Sequence, residues 1–256
     1  MEKQEVNFDF TGKNYVVVGA SSGMGRQVAI ELAEAGANVL AIARNEERLN
    51  QLKDKCSNIH IQILDVTQAG KDDWLKIFDE YVKDYGKIDG AVYTAGISGT
   101  TALRRFDEDF AYKIMETSFW GAIRCLQAIT KKKISNACAS YILFSSVAGT
   151  TGEKGLFAYA AAKAALMAAV KSLSHDLSRE KQRINTISPG WVETNMTTKS
   201  IEEMGESVCV VNRHLLGTGQ ATDVSPMVMF LLSERASWIT GQDFVVDGGY
   251  MSGAWN

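Results

Sequence analysis

The chain has 256 residues and a net charge of −3, with 46% hydrophobic and 22% charged residues. That is enough apolar material for a large core, which excludes a disordered chain. Lysine and arginine are scattered apart from Lys131-Lys132-Lys133, so the strongly basic face of a nucleic-acid binder is missing. Cys56, Cys125, Cys138 and Cys209 have no Cys-x-x-Cys spacing and no histidine pair nearby. They read as reduced thiols, mostly in the core, of a cytoplasmic protein without a metal site. The first residues lack a signal peptide's basic and apolar regions, and no apolar run reaches the ~18 residues of a membrane span. No repeat, low-complexity segment or linker divides the chain, so one domain over 1–256 is expected, long enough for a single α/β sheet covered on both faces.

Asn14 to Val18 is β-branched and aromatic-rich and predicts a short buried strand. It leads into Gly19-Ala20-Ser21-Ser22-Gly23-Met24-Gly25 and then a helical stretch with Val28, Ile30, Leu32 and Ala33. Strand, glycine-rich turn and helix together form the setting in which a pyrophosphate meets free N–H groups at a helix N-terminus. A second strand, Asn38 to Ala43, ends about 19 residues past Gly25, where an NAD site places an acid for the ribose 2′-hydroxyl. Here the residues are Ala43-Arg44-Asn45. A guanidinium pairs with a 2′-phosphate that a carboxylate would repel, so the pattern favours NADP(H) over NAD(H).

Ile59 to Leu64 predicts a third strand, followed by Asp65-Val66 at the adenine end. Trp74, Ile77, Phe78, Tyr81, Val82 and Tyr85 make one apolar helical stripe, read as packing against the sheet. A fourth strand, Gly90 to Tyr93, precedes Thr94-Ala95-Gly96-Ile97, and one long helix is expected from about Asp107 to Lys132. Lys131 to Lys133 would cap that helix favourably for its dipole. Ser140 to Ser145 is the fifth predicted strand and delivers Ser146 to a C-terminal sheet edge, where ligands of parallel sheets bind. The helix from about Ala158 to Leu177 is apolar nearly all round and rich in alanine. One side faces the sheet; the other predicts contact with a second subunit. Arg183 to Ser188 ends at Pro189-Gly190. From Trp191 to Leu216 the periodicity is lost while apolar residues persist, which suggests a lid over a partly apolar substrate. Thr222 to Leu232 predicts a helix capped by Thr222 or Asp223, and Asp243 to Val246 a last strand.

Tyr159 and Lys163 are four apart and share a helix face. A phenol with an unperturbed pKa of about 10 is a poor proton shuttle at neutral pH. An ammonium about 4 Å away would favour the phenolate by roughly 4 kcal/mol, or about 3 pKa units. Ser146, at a strand end, could hydrogen-bond the oxygen that gains or loses the proton. The trio therefore points to proton transfer at a carbinol or carbonyl oxygen.

With these residues assembled, the chain resembles the short-chain dehydrogenase/reductase family over essentially its whole length. The matching pieces are the Gly19-x-x-x-Gly23-x-Gly25 turn, Asp65-Val66, Ala95-Gly96, Ser145 to Gly149, Tyr159-x-x-x-Lys163, Asn185, Pro189-Gly190, Thr194 and Asp247-Gly248-Gly249. The resemblance implies a Rossmann-type doubly wound parallel sheet, order 3-2-1-4-5-6-7, with helices on both faces. It implies Tyr159 as general acid/base, Lys163 lowering its pKa and holding the ribose, and Ser146 orienting the substrate. The turn residues Ser21, Ser22 and Met24 would contact the dinucleotide with the glycines. Thr194 and the backbone after Pro189, Gly190 and Val192 included, would hold the nicotinamide carboxamide.

Three departures stand out. Val18 replaces the threonine before the first glycine, and Tyr93-Thr94 replaces Asn-Asn before Ala95-Gly96. Ser118, three before Gly121, replaces the asparagine whose side chain holds a water that relays protons to the lysine. Serine keeps a donor and an acceptor but has a shorter reach. The expected activity is hydride transfer between NADP(H) and a ketone or secondary alcohol in a homo-oligomer, a dimer or tetramer through the 158–177 helix. A 3-oxoacyl chain on acyl carrier protein is the rival substrate, with Lys131 to Lys133, Arg179, Lys181 and Arg183 as a basic docking surface. A non-catalytic NADP(H) sensor or scaffold is the alternative of another class. His60, His175 and His214 read as structural or surface groups, with His214 near enough to the lid to face a substrate.

Overall fold

The computed structural model describes residues 7–194 and 213–252. Seven parallel strands form one sheet in the order β3-β2-β1-β4-β5-β6-β7, as the resemblance implies. They are β1 (Asn14–Val18), β2 (Asn38–Ala43), β3 (Ile59–Ile63), β4 (Ile88–Tyr93), β5 (Ser135–Phe144), β6 (Arg183–Pro189) and β7 (Asp243–Val246). The helices are α1 (Gly23–Glu34), α2 (Glu46–Lys53), α3 (Lys71–Tyr85), α4 (Glu108–Met115), α5 (Gly121–Ile129), α6 (Ala148–Thr151), α7 (Phe157–Leu177) and α8 (Ala221–Leu232).

The sheet has helices on both faces, which is why β1 reads as an unbroken apolar run. Successive residues still divide by period two. Val17 joins a core with Val28, Leu32, Val224 and Val228, while Val16 and Val18 join another with Trp74, Phe78, Leu126 and Leu166. Trp74 and Phe78 are fully buried, as the stripe on α3 predicted. Each such side chain contributes roughly 1.5–3 kcal/mol on leaving water. The strand order reverses between β1 and β4, and this opens a crevice at the C-terminal ends of the strands.

Four local expectations are corrected. The long middle helix is interrupted by a π-helical turn, Glu116–Trp120. It also ends at Ile129, so Lys132 and Lys133 lie beyond it and pair with Glu180 and Asp79 at 2.9 and 2.7 Å. β5 begins at Ser135, because a bulge that puts Cys138 at φ +66° interrupts the alternation ahead of Ser140. α8 starts from Gln220, whose N–H donates to Asp223 at 2.6 Å; Asp223 is the reciprocal partner three residues in. Of the described cysteines only Cys125 is buried; Cys56 is half-buried and Cys138 exposed. Among the described residues no helix is long and apolar enough to cross a membrane.

Candidate active site

The glycine-rich turn is shaped by Thr94 at the end of β4. Thr94 donates to the Val18 carbonyl from both its N–H (2.8 Å) and its hydroxyl (2.9 Å), which ties β4 to β1 at the crevice. The hydroxyl fills the space beside the turn. A Cβ on Gly25 would collide with it and lie 2.5 Å from the Gly19 carbonyl oxygen. Gly19 itself has φ +90°, a conformation glycine adopts without steric cost. The replacement of the family's asparagine thus leaves a tight strand-to-turn junction.

A groove of about 580 Å³ runs from this turn across the sheet edge. Gly19, Ser21, Ser22, Gly23, Met24 and Gly25 form one wall, and Val66, Ala95 and Gly96 line its floor. Thr194 lies across from the turn, close to Gly23. Arg44 reaches the groove at the end of β2, as expected. It is joined by Arg48, four residues on in the first turn of α2, which the sequence pattern does not single out. Asn45 caps α2 by accepting from the Arg48 N–H at 2.8 Å. Two guanidiniums therefore face the same end of the groove.

Asp65 stands behind that end, with an oxygen 3.7 Å from Arg44 Nη1. Burial raises its pKa, but hydrogen bonds from the Thr67 N–H and hydroxyl, together with Arg44, outweigh it and hold the carboxyl below the ordinary range.

Ser146, Tyr159 and Lys163 converge at the C-terminal end of β5. Ser145 anchors α7 by donating to the Lys163 carbonyl at 2.9 Å, and Ser146 Oγ accepts from the Ala148 N–H at 3.2 Å. Burial raises the Tyr159 pKa, and a hydrogen bond with Ser146 lowers it by less. Lys163 is 4% exposed and donates to the Phe144 carbonyl at 2.7 Å. Burial brings its pKa down to about 8. Its Nζ lies 5.5 Å from the Tyr159 ring centre. The expected depression of the tyrosine by a nearby ammonium is therefore corrected. One helical turn brings the residues together, but burial opposes both charges and a carbonyl holds the amine.

Ser118 lies in the π-helical turn and is fully buried, and its hydroxyl has no hydrogen-bond partner. A Cβ on Gly96 would be 3.3 Å from Ser118 Oγ and 3.4 Å from Lys163 Nζ, so both groups border the same glycine. Tyr93 explains the turn. The Gly121 N–H bonds to Glu116 O, five residues back, where an α-helix would use Thr117 O. The buried Tyr93 hydroxyl donates to that Thr117 carbonyl at 2.7 Å. It packs so closely on Gly121 that no side chain fits there.

β6 delivers the remaining residues. The Pro189 carbonyl accepts from Val147 N–H at 3.1 Å, Gly190 N–H donates to Val246 at 3.0 Å, and Val192 bridges to Gly219. Of the lid expected at 191–216, residues 195–212 lie outside the described residues. Of the basic docking surface expected at Lys131 to Lys133, Arg179, Lys181 and Arg183, only Arg183 is corrected. Arg183 is 6% exposed and donates to the Ser233 carbonyl at 3.1 Å, whereas Lys132 and Lys133 stay exposed in their surface ion pairs. Among the described residues no cluster of His, Cys, Asp and Glu could hold a metal.

Comparisons with known proteins agree with this geometry. The family model described as enoyl-(acyl carrier protein) reductase matches residues 19–251. The chain is 35% identical to the 3-oxoacyl-(acyl-carrier-protein) reductase FabG of Rickettsia conorii, over 95% of this chain and 98% of that one. The solved structure named ElxO with NADP bound superposes with TM-score 0.83 and 26% identity, covering 94% of this chain and 99% of that one. A structure named ribose-5-phosphate isomerase from Brucella melitensis 16M superposes with TM-score 0.87 and 27% identity, covering 96% and 95%. Its name differs in activity, a reminder that the site and not the fold carries the chemistry. The seven-strand order, the glycine-rich turn and the Ser146, Tyr159 and Lys163 cluster meet at one edge in a chain this similar to FabG, and the protein belongs to the short-chain dehydrogenase/reductase family.

Proposed function

We propose that this chain is an NADP(H)-dependent oxidoreductase that reduces a ketone to a secondary alcohol, with Tyr159 as the acid. The single observation that carries this reading is the convergence of Ser146, Tyr159 and Lys163 at the end of β5, beside the groove lined by the glycine-rich turn. Reduction needs a proton at the substrate oxygen, and the Tyr159 hydroxyl is the group placed to give it.

The residues present fit the dinucleotide. The turn from Gly19 to Gly25 leaves space that a side chain would fill, and Arg44 and Arg48 provide the donors and charge for a 2′-phosphate. Bound there, the cofactor supplies the hydride. Ser146 hydrogen-bonds the substrate oxygen and Tyr159 transfers its proton to it. Lys163, held by Phe144 and close to Gly96, would support the ribose and the tyrosine. Ser118 brings an unpaired hydroxyl to the same place. Gly190, Val192 and Thr194 would hold the carboxamide end, and Asp65 steadies Arg44.

The relatives' names favour a 3-oxoacyl thioester as substrate, and the NADP bound in ElxO favours NADP over NAD. The presence of Ser146, Tyr159 and Lys163 together at the edge of the groove speaks against a non-catalytic sensor. We further read the chain as one catalytic domain with a lid at about 191–216, cytoplasmic, and assembled as a homo-oligomer. Phe157, Ala161 and Ala168 leave an apolar stripe exposed on α7, which suits a second subunit. NADPH oxidation across a panel of free ketones and 3-oxoacyl-carrier thioesters tests the activity. Turnover is expected in the wild type and lost in Tyr159→Phe, with cofactor affinity kept within a few-fold. Normal turnover by that variant overturns the mechanism.

A further inference from the structure

The turn that follows β6 is held by a side chain from far along the chain. The Trp191 N–H donates to Nε2 of His214 at 2.9 Å. His214 is 6% exposed, and its ring lies 4.8 Å from that of Tyr250, tilted by 33°. Main-chain bonds secure the rest of the turn: Gly190 N–H to Val246, Gly219 N–H to the Trp191 carbonyl, and Glu193 N–H to Gly219, at 2.8–3.0 Å. The Trp191 N–H is thus the link in this ladder that ends on a titratable side chain. An imidazole nitrogen that accepts must be unprotonated, so the ring proton of neutral His214 sits on Nδ1.

We propose that His214 is a positioning residue for the cofactor, a latch that holds Gly190 to Val192 in place while its imidazole is neutral and lets go when the ring is protonated. Protonated, Nε2 becomes a donor facing a donor, and the bond is lost. The proposal rests on the assignment of this turn to the nicotinamide end under the function proposed above. Among the described residues, the titratable and charged groups around the ring are Tyr250, Glu153, Asp247 and Arg213. Tyr250 donates to Glu153, which lies between α6 and α7. Asp247 packs on Gly190 alongside the imidazole, and its carboxylate accepts from the N–H groups of Gly249 and Met251 at 2.9 and 2.8 Å. Arg213 precedes His214 and faces the Tyr250 hydroxyl. The Glu153, Tyr250 and His214 contacts also connect this turn to the segment carrying Ser146 and Tyr159.

The test measures NADPH affinity by fluorescence titration from pH 8 to 5.5 in wild type, His214→Gln and His214→Phe. The glutamine keeps an acceptor that does not titrate; the phenylalanine keeps the ring on Tyr250 without an acceptor. A phosphate's second pKa lies near 6, so the difference between proteins is read, not the wild-type profile alone. His214→Phe is expected to bind roughly three- to tenfold more weakly at pH 8. His214→Gln should match wild type at pH 8 and lose less affinity on acidification. Wild-type affinity in His214→Phe, or a His214→Gln profile that follows wild type into acid, overturns the latch. Failure of the wild type to bind NADPH overturns the proposed function instead. The imidazole ¹⁵N spectrum of the protein alone then still decides the latch: an Nδ1–H tautomer supports it, and an Nε2–H tautomer overturns it.

Discussion

Lys163 Nζ lies 2.7 Å from the Phe144 carbonyl oxygen and 5.5 Å from the centre of the Tyr159 ring, so the last residue of β5 takes hold of the amine. A lysine in that position is costly to fold. Its pKa falls from 10.5 to about 8, so between those values the unfolded chain binds more protons than the folded one. Stability therefore rises with pH across that window, and the burial penalty is present in full below about 8.

Lys163→Met removes that penalty, worth up to about 3 kcal/mol, and gives back about 1 kcal/mol through the lost bond to Phe144. The variant is expected to be inactive yet more stable than wild type at pH 7 by about 1–2 kcal/mol, with the advantage gone near pH 10. Urea unfolding at the two pH values checks this. An advantage that does not change with pH would show that the lysine is not the titrating group.

The two guanidiniums at the end of β2 set the expectation for cofactor choice. Arg44→Asp places a carboxylate beside the phosphate position and beside Asp65, 3.7 Å from the present Arg44 Nη1. Loss of a charge-assisted pair worth roughly 1.5–3 kcal/mol predicts about a ten- to hundredfold fall in kcat/KM for NADPH. The ratio of NADH to NADPH efficiency should rise. An unchanged ratio would reject Arg44 as the phosphate contact, with Arg48→Ala the next variant to compare.

Ser118 offers a sharper separation of stability from catalysis. Its hydroxyl is buried with no partner, so Ser118→Ala removes no hydrogen bond and relieves a desolvated group. Thermal stability should stay level or rise, while kcat falls about tenfold if the hydroxyl serves proton transfer. Unchanged kcat would leave Ser118 a packing residue.

Tyr93 is expected to behave in the opposite way. Tyr93→Phe strands the Thr117 carbonyl in the core at a cost of about 1–3 kcal/mol and removes the group that compensates the π-helical turn. Stability and kcat should fall together. Tyr81, whose buried hydroxyl has no partner, is the control: Tyr81→Phe should be neutral or slightly stabilising.

Much of this site was readable beforehand. The strand, turn and helix around Gly19 to Gly25, the Tyr159 to Lys163 spacing and the boundaries of β1, β2 and β7 all depend on neighbours a few residues apart. Periodicity and turn chemistry record such relations directly. Where a local pattern was interrupted, reading faltered. The bulge at Cys138 hid the first half of β5, and the π-helical turn passed for continuous helix because one extra residue leaves the apolar pattern almost unchanged.

The amino-acid order by itself determined the sheet's strands, the glycine-rich turn and the pairing of Tyr159 with Lys163 on one helix face, since each is written in contiguous or helically spaced residues. Only the tertiary structure decided what those side chains experience. It joined Tyr93 to Thr117, Thr94 to Val18 and His214 to Trp191, and it turned Lys163 toward Phe144. The physical reason is that desolvation and long-range hydrogen bonding belong to the surroundings of a residue, and those surroundings are assembled from parts of the chain 19 to 76 positions away.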